Sequence, residues 1–224
     1  MDEVDPVDAF ERSGTLLSQI DPQSDVEDRR LKLRALAEQV STWGSRINLT
    51  GYRDSKGVFG GLVIDALELL VAVQARLDHP AYEVADLGSG AGFPGLPIAI
   101  ASPRALVTLV EARRRRHHFQ RSACRSIPIE NARPIRGRLE AEEPRPASLV
   151  FAQAVGPLPK VLELALPWVR PGGWLVVPSG PRLESAPAGP SWGAETVQAY
   201  GQPGSEGPRR FWMGCRTDFP LDSP

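Results

Sequence analysis

Residues 84–95 restrict the fold of this 224-residue chain more than any other segment. They read Val-Ala-Asp-Leu-Gly-Ser-Gly-Ala-Gly-Phe-Pro-Gly, an apolar run that reaches an acid and then passes through three alternate glycines. Glycines at 88, 90 and 92 permit positive φ and remove the β-carbons that would keep a ligand away from the backbone. Pro94 suits a first helical turn, where a missing amide hydrogen costs nothing. The segment predicts a buried strand, a tight ligand-binding turn and a helix.

Short β-type runs alternate with helical segments after residue 80. This rhythm is typical of a doubly wound, mostly parallel α/β sheet with a Rossmann-like fold, here closed by a C-terminal antiparallel strand. The predicted strands are 82–87, 106–110, 134–136, 149–152, 174–177 and 210–216, and the predicted helices begin at Pro94 or cover 112–126 and 158–169. Because 178–208 holds twelve glycines and prolines, we predict mostly loop there, with one strand at 195–200.

The N-terminal part is predicted to be helical. Apolar residues recur at three- and four-residue steps over 24–47 and 59–77. Ser24 and Glu27 have the spacing of a capping box. Residues 1–22 are predicted to form an acidic, mobile tail. We therefore divide the chain into a tail and helical extension, 1–79, and an α/β domain, 80–224.

Three ligands are candidates for the glycine-rich turn. A triphosphate loop needs Gly-Lys followed by Ser or Thr, which is absent here. A dinucleotide loop fits poorly, because Gly88 takes the place of its first glycine and Phe93 that of its third. The third candidate is S-adenosylmethionine, whose ribose needs an acceptor from the next strand. Glu111 ends that strand, twenty-five residues after Asp86, although these residues alone do not exclude NAD.

Several further motifs accompany the turn. Ile-Asn-Leu-Thr-Gly at 47–51 precedes it, and Leu-Val-Glu-Ala-Arg at 109–113 and Gly-Arg-Leu-Glu at 137–140 follow it. Together with Gly-Phe-Pro-Gly at 92–95 and the Pro-Gly-Gly turn before the fifth strand, they resemble the bacterial small-subunit ribosomal RNA guanine-N7 methyltransferases, also called glucose-inhibited division protein B. The resemblance covers about residues 31–180. It implies that 80–224 is a methyltransferase domain behind an N-terminal helical extension.

The resemblance also implies roles for individual residues. Gly88 and Phe93 would line the methionine and adenosine end of S-adenosylmethionine, Glu111 would hold the ribose, and Leu139 and Glu140 would border the adenine. The complete set of predicted cofactor-binding residues is Asp86, Gly88, Ser89, Gly90, Gly92, Phe93, Glu111, Ala112, Leu139, Glu140 and Gln153.

Three positions depart from the family pattern. Gln153 stands where the family has an arginine, Leu62 where it has a histidine three residues before Asp65, and Ser179 where it has a lysine after the fifth strand. All three changes remove polar or cationic groups near the expected RNA position. Cofactor binding is therefore better supported by the sequence than the family's RNA activity.

Charge suggests where RNA would bind. Residues 104–145 carry eleven arginines against five glutamates, although the whole chain has a net charge of −1. Such a local excess attracts phosphate, and the alternative is a solvated helix face. The candidate RNA-binding residues are Arg113, Arg114, Arg115, Arg116, Asn48 and Thr50.

No catalytic acid, base or nucleophile is predicted. Guanine N7 is already nucleophilic, so methyl transfer needs alignment more than proton removal. Two other classes stay open: a methyltransferase with another RNA or a small-molecule substrate, and a non-catalytic module that binds S-adenosylmethionine. Two distant cysteines, no secretory signal and no apolar run of about twenty residues favour a cytoplasmic monomer. Ribosomal RNA or the small subunit would be its partner, without a metal or a membrane.

Overall fold

The computed structural model describes residues 6–77, 83–179, 191–204 and 207–217. Within these ranges, helices and strands follow one another as the sequence predicts, with a helical N-terminal part before an α/β sheet. The helices are α1 (Pro6–Ile20), α2 (Val26–Gly44), α3 (Ser55–Val58), α4 (Ile64–Gln74), α5 (Gly95–Ala101), α6 (Arg114–Ser126) and α7 (Leu158–Ala165), with a π-helical turn at Phe59–Val63 and a 3-10 turn at Leu166–Trp168. The strands are β1 (Glu83–Leu87), β2 (Leu106–Glu111), β3 (Ala132–Arg136), β4 (Ala147–Ala152), β5 (Val169–Ser179), β6 (Trp192–Gly204) and β7 (Gly207–Arg216).

The seven strands form one sheet in the order β3-β2-β1-β4-β5-β7-β6. Strands β1 to β5 are parallel, whereas β7 runs antiparallel to both β5 and β6. Strand order reverses at β1, because Leu87 pairs with Val110 of β2 on one side and with Ala152 of β4 on the other. In open sheets of this type the crevice outside the carboxyl ends of such strands binds ligands. The topology therefore places the β1 turn at the expected binding edge.

A hydrophobic core covers each face of the sheet. Helices α1, α2, α4, α5 and α6 pack on one face, around Leu33, Leu67 and Phe119. Helix α7 and Trp168 cover the other face, where Trp192 and Trp212 meet edge to face with ring centroids 5.8 Å apart. Burial on both faces explains why β1, β2 and β4 are continuous apolar runs.

The N-terminal tail prediction is wrong for residues 6–20, which form α1. Leu16 and Leu17 of this helix are buried in the first core. The buried guanidinium of Arg29 donates to the carbonyl oxygens of Leu17, Asp21 and Ala101, at 3.2, 2.8 and 2.8 Å. These bonds satisfy carbonyls near the ends of α1 and α5, so a side chain from α2 holds α1 on the domain.

The start of α2 also differs from the prediction. Asp25, not Ser24, is the N-cap, and its carboxylate accepts hydrogen bonds from the backbone of Glu27 and Asp28. Ser24 instead donates to Asp21 at 2.8 Å. Both residue types are good caps, and the ionised side chain occupies the position next to the helix, where it also favours the dipole.

The loop prediction for 178–208 is wrong over β6, which is longer at both ends than the predicted strand 195–200. The glycine content of this segment predicts a loop, but pairing with β7, through partners such as Val197 with Trp212, holds it as a strand. Strand β5 likewise begins at Val169 rather than residue 174. Residue 82 and residues 180–190 of the predicted segments lie outside the described residues.

One described helical run, Ser55–Gln74, has the length and apolar composition of a membrane span. Half of its most apolar window is buried inside the fold. Val63, Leu67 and Leu70 of this run belong to the first core. The run therefore has the features of a core helix.

Candidate cofactor-binding site

The glycine loop, residues 88–94, connects β1 to α5. Gly88 and Gly92 have φ values of 70° and 88°. A β-carbon on Gly88 would lie 2.8 Å from a methyl of Val155, and one on Gly92 would overlap Leu96. Both positions therefore require glycine, by backbone conformation and by space. Gly90 shares the positive φ, at 57°, but has more space, because the nearest side-chain atom to an added β-carbon would be Arg116 Nη1 at 3.8 Å.

Asp86 anchors the start of α5 from inside the sheet. Its carboxylate is fully buried, and Oδ2 accepts a hydrogen bond from the Gly95 amide at 2.9 Å. Oδ1 has no hydrogen-bond partner among the described residues. The pKa of Asp86 is raised to about 7. Burial is the largest cause, the hydrogen bond from the Gly95 amide partly offsets it, and the nearby Glu111 adds to the increase. Asp86 therefore positions the loop while its charge is destabilised.

Ser89 and Gln120 hold the loop from behind. The Ser89 amide and hydroxyl both donate to the Val110 carbonyl of β2, at 3.0 and 3.3 Å. The Gln120 amide nitrogen donates to Ser89 Oγ at 2.8 Å and to the Gly90 carbonyl at 2.9 Å. Ser89 is buried, so its hydroxyl fixes the loop conformation and α6 is connected directly to the loop.

Sequence reasoning missed Gln120. One signal was present, because Gln120 is the uncharged polar residue between Phe119 and Arg121 in an arginine-rich helix. It follows Arg116 by one helical turn, on the same face. An amide on the buried face of such a helix needs a partner, and the loop supplies it.

Glu111 lies at the end of β2, next to the glycine loop. Its side chain is 5% exposed, and Oε1 accepts a hydrogen bond from the Arg113 amide at 2.6 Å. Leu87 and Val110 are partners in the sheet, so the residues after them, Gly88 and Glu111, emerge side by side. Ala112 follows as an exposed residue.

The remaining predicted cofactor residues also follow carboxyl ends of strands or the loop itself. Phe93 is half-buried against the first core, and Leu139, beyond β3, is half-buried against the second. Glu140 is exposed. Gln153 is exposed directly after Ala152, the β4 partner of Leu87. The sheet topology thus brings residues from four separate segments to one edge.

The other two positions that depart from the family pattern lie apart from the loop. Leu62 belongs to the π-helical turn and packs, half-buried, against the first core. Ser179 is exposed at the end of β5, opposite Arg210 of β7. Leu62 therefore has a packing role.

The candidate RNA-binding residues are divided by the structure. Arg113 is the exposed N-cap of α6, and Arg116 lies towards Gly90, whereas Arg114 lines a cavity on another face of the helix. Arg115 is exposed between them. The arginine run is thus not one surface.

Asn48 and Thr50 lie in the connection between α2 and α3. Asn48 is exposed, and Thr50 Oγ1 accepts a hydrogen bond from the Tyr52 amide at 3.1 Å. Within the described residues neither makes a hydrogen bond to the glycine loop. Thr50 therefore has a local turn-forming role.

The edge fits S-adenosylmethionine. The glycine loop leaves its Gly90 side open, and a carboxylate that can accept hydrogen bonds from ribose hydroxyls stands beside it at Glu111. No cluster of three or more histidine, cysteine, aspartate or glutamate side chains within the described ranges has the arrangement of a metal site. The space at Gly90 and the carboxylate of Glu111 together suit an organic ligand with hydroxyl groups at this edge.

Comparison with solved structures agrees with the fold. A Klebsiella pneumoniae protein classed as an O-methyltransferase aligns with a TM-score of 0.54 and 18% identity, over 82% of this chain and 90% of that one. The yhhF protein of Escherichia coli, classed as a methyltransferase, aligns with a TM-score of 0.53 and 19% identity, over 67% and 85%. At such identities the likeness establishes a Rossmann-like methyltransferase fold and nothing finer.

Sequence relatives establish the family. The GidB family model, described as rRNA small subunit methyltransferase G, matches residues 29–186. Ribosomal RNA small subunit methyltransferase G of Nitratidesulfovibrio vulgaris is 37% identical over 178 residues, 78% of this chain and 80% of that protein. The protein of the same name from Xanthomonas oryzae pv. oryzae is 33% identical over 182 residues, 80% and 82%. The chain therefore belongs to the rRNA small subunit methyltransferase G family and is an S-adenosylmethionine-dependent methyltransferase.

Proposed function

We propose that this chain transfers a methyl group from S-adenosylmethionine to N7 of a guanine in small-subunit ribosomal RNA. The observation that carries the proposal is the glycine loop beside Glu111, at the reversal of strand order, in a chain of this family. The loop retains every feature that close ligand approach needs, including three glycines, Gly88, Gly90 and Gly92, whose positive φ other residues rarely adopt.

The residues of the edge would divide the cofactor among them. Gly88 and Phe93 would contact its methionine and adenosine end, Glu111 its ribose hydroxyls, and Leu139 and Glu140 its adenine. Asp86, Ser89 and Gln120 hold the loop in shape from the buried side. When bound, S-adenosylmethionine supplies an electrophilic methyl group on a sulfonium centre.

The chemistry asks the protein for alignment. A bond forms between guanine N7 and the methyl carbon while the carbon–sulfur bond breaks, and its electron pair returns to sulfur. The base gains a positive charge and loses no proton, so no general base is required at N7. Positioning of the two reactants supplies the rate enhancement, which agrees with a site that has rigid backbone contacts and no paired acid and base.

RNA would reach this edge over positively charged surface. Arg113 to Arg116 begin α6 immediately after Glu111, where guanidinium groups can pair with phosphates. The helical extension, 1–79, would form a second RNA-contacting unit beside the methyltransferase domain, 80–224. The protein would act in the cytoplasm, as a monomer, on ribosomal RNA or the assembled small subunit.

A second candidate is the same reaction on another RNA or a small molecule. Gln153 favours it, because an exposed amide at the end of β4 cannot make the bidentate, charged phosphate contact of the family's arginine. Leu62 and Ser179 remove two more polar groups. The cofactor edge is the same in both candidates, so only the substrate separates them.

Cofactor binding is tested by isothermal titration of the full chain with S-adenosylmethionine. Gly90→Trp fills the more open side of the loop at a positive φ of 57°, which itself strains a side chain, whereas a substitution at Gly88 would in addition displace Val155. We expect at least about a hundredfold weaker binding for Gly90→Trp. Gly172→Trp is the matched control, since Gly172 also has a positive φ, 71°, and no atom lies within 4 Å of a β-carbon there, and its affinity should equal that of the native chain. Equal binding by all three proteins would contradict the proposed site.

The substrate is tested with ribosomal RNA from a strain that lacks the family's modification. After incubation with protein and cofactor, borohydride reduction and aniline treatment cleave RNA at N7-methylguanine, and primer extension locates the cut. The proposal requires one protein-dependent cut in the small-subunit RNA. Gln153→Arg separates the candidates: a large gain in rate supports a weakened family enzyme, and no methylation by either protein supports the second candidate.

A further inference from the structure

Helix α6 has a second charged face, directed away from the glycine loop. At 100° per residue, Arg114, His118, Arg121 and Arg125 fall on one side of the helix, while Arg116, Phe119, Gln120 and Ala123 fall on the other. The second group contacts the loop or the first core. We define the outer face of α6 as Arg114, His117, His118, Arg121 and Arg125.

A cavity of about 370 Å³ lies along this outer face. Its lining consists of the five outer-face residues and Arg136 from the end of the edge strand β3. Every one of these side chains is cationic or can become so, and none is a carboxylate. Arginine and protonated histidine only donate hydrogen bonds, so the cavity requires a ligand rich in acceptors and negative charge.

The arginines of the cavity differ from those that form ion pairs with acids on the same chain. Across the described part of the chain, no ion pair joins Arg114, Arg121, Arg125 or Arg136 to an acid. Some arginines elsewhere do have acidic partners, as Arg170 has in Glu83 at 3.5 Å. Four like charges without a counter-charge raise the free energy of the folded chain, and an anion would relieve this.

His117 lies among these cations and has a lowered pKa. Burial lowers its pKa despite a hydrogen bond with the Pro134 backbone, and Arg121, Arg136 and His118 lower it further. His118 has a different neighbour, since its ring centroid lies 5.6 Å from that of Trp43 of α2, with the two ring planes tilted by 57°. The charged groups around the cavity thus come from α6 and β3, and all of them repel protons.

The length of the outer face of α6 favours a polymer as its ligand. Arg114 and Arg125 are eleven residues apart, about 16 Å along a helix. Successive phosphates of a nucleic-acid strand repeat at a few ångströms along it, so several phosphates fit where one isolated phosphate would meet only part of the lining. Guanidinium groups also match phosphate oxygens in a bidentate manner.

We propose that the outer face of α6, with Arg136, binds consecutive backbone phosphates of the substrate RNA at a position separate from the methyl-transfer edge. The proposal rests on the proposed function for the identity of the RNA. It extends the RNA-binding surface from Arg113 and Arg116 around α6 to the β3 edge of the sheet. The cavity contacts the backbone only, so it contributes affinity without base specificity.

The test compares two double variants of the full chain. Arg121→Gln/Arg125→Gln removes two charges from the cavity, and both residues are exposed, so folding is preserved. Arg104→Gln/Arg170→Gln removes the same charge near the amino ends of β2 and β5, far along the strands from the cofactor edge. Affinity for a fluorescent small-subunit RNA fragment is measured at several salt concentrations, and S-adenosylmethionine binding is measured in parallel.

We expect the cavity variant to bind RNA about tenfold more weakly and to lose about one to two charges from its salt dependence. Its cofactor affinity should not change, and the control should stay within about twofold of the native chain. Equal RNA binding by the two variants would overturn the proposal while methylation by the native chain upholds the proposed function. A native chain that binds the cofactor but no RNA would overturn both.

A free phosphorylated ligand is distinguished by titration with pyrophosphate. Tight pyrophosphate binding that is lost in the cavity variant, together with unchanged RNA affinity, would overturn the RNA assignment. The RNA assignment would be supported if pyrophosphate displaces RNA from the native chain only at high concentration and has no such effect on the cavity variant.

Discussion

The two sides of helix α6 differ in burial and in charge. On the inner side, Phe119, Gln120 and Ala123 are fully buried, and Gln120 makes defined hydrogen bonds to the glycine loop. On the outer side, arginines stand in solvent without ionic partners in the described part of the chain. The inner side fixes the position of the glycine loop through packing and hydrogen bonds, whereas the outer side presents positive charge to solvent. Substitutions on the inner side should therefore cost folding energy, whereas those on the outer side should change only the response to anions.

The largest effect is expected at Asp86 of β1, the buried anchor of the glycine loop that the inner side of α6 contacts. Its pKa is about 7 in the fold and near 3.8 in the unfolded chain. Between these pH values the folded state binds one more proton than the unfolded chain. The contribution of Asp86 to the free energy of unfolding is therefore complete below pH 4 and is lost as the pH rises to 7. The difference corresponds to about 4 kcal/mol. Chemical denaturation of the native chain and Asp86→Asn across this range measures it.

The variant provides its own reference for that measurement. Any constant cost of the buried Asn amide cancels when each protein is compared with itself at another pH. The native chain should lose more stability than Asp86→Asn between pH 4 and 7. Parallel curves for the two proteins would mean that Asp86 stays ionised in the fold.

The next effect is expected at Gly92. A valine there would be β-branched at a φ of 88° and would overlap Leu96. Backbone strain and overpacking together should cost about 3 kcal/mol in the free energy of unfolding. Gly44→Val, at a position with open space, should cost less than about 1 kcal/mol. Urea unfolding of both variants measures these losses in the free energy of unfolding. Equal losses in the two variants would refute the steric explanation.

Gln120→Leu should have a smaller effect. Leucine has a similar volume but leaves the Gly90 carbonyl without its donor, which costs about 2 kcal/mol. Cofactor affinity should also fall, because the loop loses its support. Gln39→Leu is the control: Gln39 bonds to Ser126 at an exposed position, and its loss should cost below about 0.5 kcal/mol. If cofactor affinity is unaffected in Gln120→Leu, the amide does not position the loop.

The smallest effect on stability is expected on the outer side. Arg121→Gln/Arg125→Gln removes mutually repelling, exposed charges, so the melting temperature at low salt should stay the same or rise slightly. Added salt should raise the melting temperature of the native chain more than that of the variant. A clear loss of stability would show that these arginines are structural, and it would remove the contrast between the two sides of α6.

Much of the α/β domain could be predicted from local patterns. The β1 strand, the glycine turn and the start of α5 followed from residues 84–95, and β2, α6 and β4 were placed to within a few residues. These segments are apolar runs bounded by turn residues, so their local preferences agree with the fold. The location of Glu111 beside the loop followed from the alternation of strands and helices alone.

The errors have one cause in common. Helix α1 was predicted as a mobile tail because its charge is acidic, yet Arg29 and the first core hold it in place. Strand β6 was predicted mostly as loop because of its glycines, yet β7 supplies its hydrogen-bond partners. Gln120 was missed because its partners are about thirty residues away. Each error involves an interaction between distant residues.

The sequence alone determined the family and the sheet type, because these depend on motif and periodicity, and it predicted which residues would bind the cofactor. Only the tertiary structure decided that the arginine run has two faces, one at the loop and one at a cavity with Arg136. A run of like residues carries no information about direction until a helix is docked. Packing of Phe119 and Ala123 into the core fixes the rotation of α6, and that rotation separates the two charged faces.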